Sequence, residues 1–193
     1  MEGAIMKNIR TKILAGALLL AVFSFTLPTL AAEKSEDQLI ADLNSPKDNV
    51  VTSALQNLEK KYPTSTKALP AIEKLLSDPR TKVARKAARV LGSLHAQVSA
   101  DDVAAICKLL KSSDTDTVID GLKSLRGLNA TSAVPEIVPL LKSPTVNIVR
   151  DACRSLAVLG DKSTIPSIEP LLKSSDPKIQ KDAMDAIDAL KRK

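Results

Sequence analysis

Aromatic residues are nearly missing from this chain, with no Trp, two Phe and one Tyr among 193 residues. Phe23 and Phe25 fall in the apolar opening segment, so Tyr62 stands alone in the remainder. Single-stranded nucleic-acid binding by base stacking loses its usual platform, and so does an aromatic-lined cofactor pocket. Histidine is as scarce. With His95 as the only imidazole, no multi-histidine metal site or histidine relay can form, and any Ser-His-Asp or Cys-His arrangement would have to use that residue. The six glycines form no phosphate loop, and no Gly-x-Ser-x-Gly nucleophile motif occurs. These absences predict no catalytic residue, no cofactor and no metal, and leave His95 as a helix-end residue.

Charge is mild and unevenly placed. Lys7, Arg10 and Lys12 precede an uncharged run from Ile13 to Ala32 that ends in small residues. That is the layout of a secretory signal peptide, with cleavage expected before Ala32 or Glu33; retention as a membrane anchor is the competing reading. Residues 1–32 are therefore read as a signal peptide and 33–193 as the mature domain, exported to a periplasm or the medium. Losing Glu2, Lys7, Arg10 and Lys12 lowers the net charge from +6 to +4. Such a balance suits a soluble protein with an acidic protein partner rather than a nucleic-acid surface. Export would permit a disulfide between the two cysteines. Cys107 and Cys153 sit on different helices of different repeats, which argues against one; Cys153 reads as a buried thiol and Cys107 as a partly exposed one. Asn129-Ala130-Thr131 is a glycosylation sequon in a loop.

What the chain does contain is an internal repeat of 31–34 residues, which governs the fold. A Leu-Leu pair recurs as Leu75-Leu76, Leu109-Leu110, Leu140-Leu141 and Leu171-Leu172, with Asp42-Leu43 in its place in the first unit. In step with it run a small column (Ala54, Ala87, Gly121, Ala152, Ala183) and two apolar columns, Leu58, Leu91, Leu125, Leu156, Ile187 and Leu39, Ile72, Ile106, Ile137, Ile168. Apolar spacings of three and four place each set on one helix face, and Ala or Gly lets paired helices approach closely. Ser/Asp/Pro turns separate the helices and cap the second of each pair. Pro139 and Pro170 lie deep enough to kink their helices. Five helical hairpins follow, at about 35–63, 64–96, 97–129, 130–161 and 162–193. Gly121 and Thr117 interrupt the pattern in the third, which is expected to be the softest.

The run Ala-x-Pro-x-Ile-x-Pro-Leu-Leu (Ala133–Leu141), Val149-Arg150-Asp151-Ala152 and Asp176-Pro-x-Ile179 resemble the HEAT repeat, in the short form found in phycobilin lyase subunits. The resemblance implies an all-α, right-handed α-solenoid of five antiparallel hairpins, with the second helices lining its concave surface. It implies there a basic stripe of Arg85, Arg89, Lys123, Arg150, Arg154 and Lys181, to which Lys86 adds. Asp120, Asp151 and Asp182 run beside it, so an internal Arg–Asp ladder competes with a partner-binding surface for these residues. Arg85, Lys86 and Arg89 belong to a repeat with no Asp in that column and are the strongest candidates for docking. The function expected is a non-enzymatic protein-interaction scaffold outside the cytoplasm. The runner-up is an accessory subunit that holds a substrate or partner for an enzyme, as in the lyases.

Overall fold

The computed structural model describes residues 33–193, and the signal-peptide reading of residues 1–32 lies outside them. All regular structure among the described residues is helical: α1 (Glu36–Asp42), α2 (Asp48–Lys61), α3 (Leu69–Lys74), α4 (Thr81–Ser93), α5 (Ala100–Leu109), α6 (Thr115–Gly127), α7 (Val134–Ile137), α8 (Val146–Leu159), α9 (Ile165–Ile168) and α10 (Pro177–Lys191). Odd and even helices pair into five hairpins, and each even helix packs on the next even one, from α2 to α10. The fold is an all-helical solenoid.

The columns explain this packing. All five residues of the small column are buried, as are the five at Leu58 to Ile187 and the five at Leu39 to Ile168. Burying each Leu or Ile of the two apolar columns stabilises by about 1.5–3 kcal/mol, which supplies the driving force that short helices lack on their own. The fifth hairpin departs from this rule on the side away from the fourth. Leu172 is 39 % exposed and Met184 56 %, whereas Leu43, Leu76, Leu110 and Leu141, and Leu55, Ala88, Leu122 and Cys153, are buried at the same register.

The turns are built alike. The residue three past the first Leu of each pair accepts the backbone N–H two residues on: Ser45 from Lys47 at 3.2 Å, Asp78 from Arg80 at 2.8 Å, Ser112 from Asp114 at 3.1 Å, Ser143 from Thr145 and Ser174 from Asp176 at 3.2 Å. This local bond ends one helix and aims the next. Arg80 adds a clamp between repeats. Its guanidinium binds Asp78 at 2.7 Å and reaches the Ser45 and Pro46 carbonyls and Asp48, each at 3.2 Å. Those hydrogen bonds hold the Asp78 carboxyl below its ordinary range.

Proline shapes the later first helices as expected. In hairpins four and five the α-helical part is four residues long and passes into 3-10 turns at Val138–Lys142 and Glu169–Lys173. Pro139 and Pro170 lack the N–H that an α-helix needs and crowd the carbonyl four residues back, so the chain tightens there. Thr117, expected to soften the third hairpin, is buried with its hydroxyl donated to Asp114, whose carboxylate also accepts the Thr117 N–H at 3.0 Å.

Candidate interaction surface on the second helices

The cations of the expected stripe fall into two groups. One group is occupied by bonds that cross from a hairpin to its neighbour. Arg85 on α4 binds Asp114 at 3.2 Å and Asp120 at 3.4 Å, both from the third hairpin. Arg150 on α8 donates Nε to Asp182 on α10 at 2.6 Å, and Arg154 meets the same carboxylate at 3.2 Å. Arg126 on α6 reaches Asp151 at 3.9 Å and the Ser155 hydroxyl at 3.3 Å. The acceptors Asp120, Asp151 and Asp182 thus each take a guanidinium from the preceding hairpin, and the last two are only 8 % exposed. Buried carboxylates need such partners. The ladder runs between hairpins, and no Asp in it pairs with a cation of its own helix.

Lys86 also belongs to the occupied group. Its ammonium lies 3.2 Å from Glu59 on α2, and Ser93 donates to the same carboxylate at 2.6 Å. Burial pushes the Glu59 carboxyl up, but the bonds from Ser93 and Lys86 outweigh it and leave it below its ordinary range. Lys181 stands outside the ladder and pairs within α10 with Asp185 at 2.6 Å. The free members are Arg89 and Lys123, exposed and without a hydrogen bond or ion pair among the described residues. Arg154 is intermediate: its side chain is 46 % exposed and shares Asp182 with the better-seated Arg150.

Beside Arg89 lies a cleft of about 180 Å³ between α2 and α4, lined by Thr52, Gln56, Lys82, Arg85, Lys86, Arg89 and Asp120. Its wall is cationic overall. Two larger grooves, of about 410 and 420 Å³, lie toward the first helices and hold Lys108 and Lys111. The first is lined by Asp78, which is already held by Arg80 at 2.7 Å, and the second by the loose Lys111–Glu136 pair at 3.8 Å.

The remaining candidates are structural. His95 adopts a left-handed φ of 49° just past α4 and donates Nδ1–H to the Gly127 carbonyl at 2.7 Å. Its backbone closes a Schellman turn, with Ala96 N–H on Leu91 O and His95 N–H on Gly92 O, and Asn129 (φ 51°) does the same past α6. The sequon Asn is therefore an exposed helix-exit residue. Cys107 and Cys153 are both buried free thiols, so Cys107 is better covered than its register suggested. Burial pushes the Cys153 thiol up to about 12 and that of Cys107 upward. Among the described residues no group of three or more His, Cys, Asp or Glu side chains converges to hold a metal.

Sequence reasoning missed Arg126, Arg80 and the Gly92–Gly127 contact between α4 and α6, where a Cβ on Gly127 would lie 2.2 Å from Gly92 O. Leu91-Gly92 and Leu159-Gly160 end differently: Gly92 is inside its helix and Gly160 caps one.

No family model and no curated protein matches the chain. Solved structures do. The complex of CpcE and CpcF of phycocyanin lyase from Nostoc is 22 % identical over 86 % of this chain and 68 % of that chain, with a TM-score of 0.71. A designed armadillo repeat protein in complex with the peptide (KR)4 is 15 % identical over 79 % and 80 %, with a TM-score of 0.64. Computationally designed armadillo repeat proteins for modular peptide recognition give 16 %, 79 % and 81 %, and 0.60. These likenesses identify a HEAT-like helical-repeat fold.

Proposed function

We propose that this protein is a non-catalytic interaction scaffold whose second-helix face docks another protein. The observation that carries this reading is the division of the cations: Arg85, Lys86, Arg150 and Lys181 are committed to ion pairs, while Arg89 and Lys123 stand exposed on the same face without a hydrogen bond or ion pair, Arg89 acting on Glu59 only through its charge at a distance. A cation without a hydrogen bond or ion pair in the fold is available to a ligand, and helical-repeat stacks bind along such extended faces. Arg is also the interface anchor that this aromatic-poor chain can offer. The fold neighbour with a bound peptide supports a peptide or protein partner, and the basic opening followed by an uncharged run in residues 1–32 supports action outside the cytoplasm. The likeness to the CpcE–CpcF complex supports the second reading, an accessory subunit that pairs with a second chain in an enzyme.

A photo-crosslinking residue at exposed position 116 on α6, two turns from Lys123 on the same face, and separately at position 108 on α5, tests the scaffold reading in cells exporting the full chain. A discrete protein adduct from position 116 and none from 108 is expected. Adducts from 108 alone, or from neither, overturn it.

A further inference from the structure

We infer that the partner meets this face as a linear acidic segment with a carboxylate at every third residue, read in turn by Arg89, Lys123 and Arg154; this rests on the scaffold reading and adds the partner's chemistry to it. The three side chains hold the same register on α4, α6 and α8, and these helices pack on one another in that order. Axes of packed helices lie about 8–10 Å apart, so the cations form a row with that period. A polyproline II segment rises about 3.1 Å per residue with three residues per turn, which returns a side chain to the same edge every ~9.3 Å. The periods agree. A β-strand returns one about every 6.6 Å and falls out of step by the second cation.

The row has ends. At the same register α2 carries neutral Gln56 and α10 carries Asp185, so three cations match a seven-residue segment with acids at its first, fourth and seventh positions. The cleft of about 180 Å³ beside Arg89, with Lys82 and Gln56 on its wall, seats the carboxylate nearest α2. Arg154 can turn toward the ligand without stranding a buried charge, because Arg150 still holds Asp182 at 2.6 Å. A nucleic-acid strand suits the row less well. It would run into Asp185, and no aromatic side chain lies on these three helices for bases to stack on.

The test is fluorescence anisotropy with the full chain and labelled peptides of equal charge, one with Glu at every third position among Pro and Ala and one with Glu at every second. The every-third peptide is expected to bind at least tenfold tighter, to weaken as salt rises, and to lose tenfold or more in R89Q/K123Q/R154Q, whose circular dichroism stays native because all three side chains are exposed. Equal binding of both spacings, full retention by the triple variant, or tighter binding of single-stranded DNA overturns the inference. The position-116 crosslink, which leaves all three cations in place, separates the two failures: an adduct without spacing-dependent peptide binding overturns the acidic segment alone, and absence of the adduct overturns the scaffold.

Discussion

Substituting Gly127 by Ala sets two physical effects of opposite sign against each other. By helix propensity alone, Gly→Ala within a helix stabilises by up to about 1 kcal/mol. In the stack, the new methyl would lie 2.2 Å from Gly92 O and 2.8 Å from Gly92 C, backbone atoms of α4 that cannot rotate away. Restoring ordinary contact requires α4 and α6 to part by about 1 Å, which forfeits a quarter to a half of the dispersion energy at each neighbouring contact. Overpacking of this kind costs typically 1–3 kcal/mol and at times more; with backbone as the obstacle, about 3 kcal/mol is reasonable, for a net loss of about 2 kcal/mol. The melting temperature should then fall by about 4–8 °C for a domain of this size. Gly121→Ala is the control. Its Cβ would meet the movable Leu110 Cδ2 at 3.1 Å, and the other four hairpins already carry Ala in that column, so the same propensity gain is opposed only by a small side-chain shift and the variant should be as stable as the parent or up to about 1 kcal/mol more stable. Urea unfolding followed by circular dichroism measures both. A G127A protein as stable as the parent, or equal effects at the two glycines, would refute the close packing of α4 on α6.

Other expectations follow from the same contacts. Asp182→Ala removes the acceptor of both Arg150 and Arg154 at a buried site, and should cost about 2 kcal/mol in urea unfolding; a loss below 0.5 kcal/mol, the scale of an exposed pair, would deny the ladder its role. Asp78 has a carboxyl pKa lowered in the fold by Arg80. An acid whose folded pKa is depressed stabilises above its unfolded pKa of about 3.9 and loses that contribution as pH falls below it, so Asp78→Asn should flatten the acid limb of the stability profile. Cys153 has the reverse behaviour. Its folded pKa of about 12 exceeds the ordinary 9.0, so the unfolded chain releases the proton first and stability should drop between those values by about 1 kcal/mol per pH unit. Cys153→Ala should remove that part of the slope, and both thiols should resist a disulfide reagent until urea is added.

The architecture was legible because it is written as columns. Ala54 to Ala183 and Leu39 to Ile168 repeat at a spacing that allows one packing scheme, and the buried side chains follow those columns. Cap chemistry was legible for the same reason, since Ser, Asp and Pro recur where the turns fall. The inter-hairpin polar contacts were only half legible. The Asp120, Asp151 and Asp182 column announces a ladder, but which cation each acid takes depends on the stagger of adjacent helices, and that offset is absent from a linear register. Arg126 occupies a column held elsewhere by Glu59, Gly92, Ala157 and Asp188, so nothing periodic marks it. Lys86 looked unpartnered because its own column lacks an acid in that hairpin; its partner, Glu59, lies at a different register one hairpin earlier. The left-handed exit at His95 was hidden because the chain uses His and Asn where Gly is the usual residue.

The central claim is that one face holds two sets of cations, one that ties the hairpins together and one that meets the partner. Melting temperature and affinity for the every-third-Glu peptide, measured side by side for R89Q/K123Q and for R150A, test it most directly. The account predicts that R89Q/K123Q melts with the parent and loses the peptide, while R150A melts several degrees lower and, at temperatures where it is folded, keeps the contacts of Arg89 and Lys123 and loses only that of Arg154, which is then the one partner of Asp182. Loss of stability in R89Q/K123Q comparable to that in R150A, or retention of the peptide by it, would contradict the division.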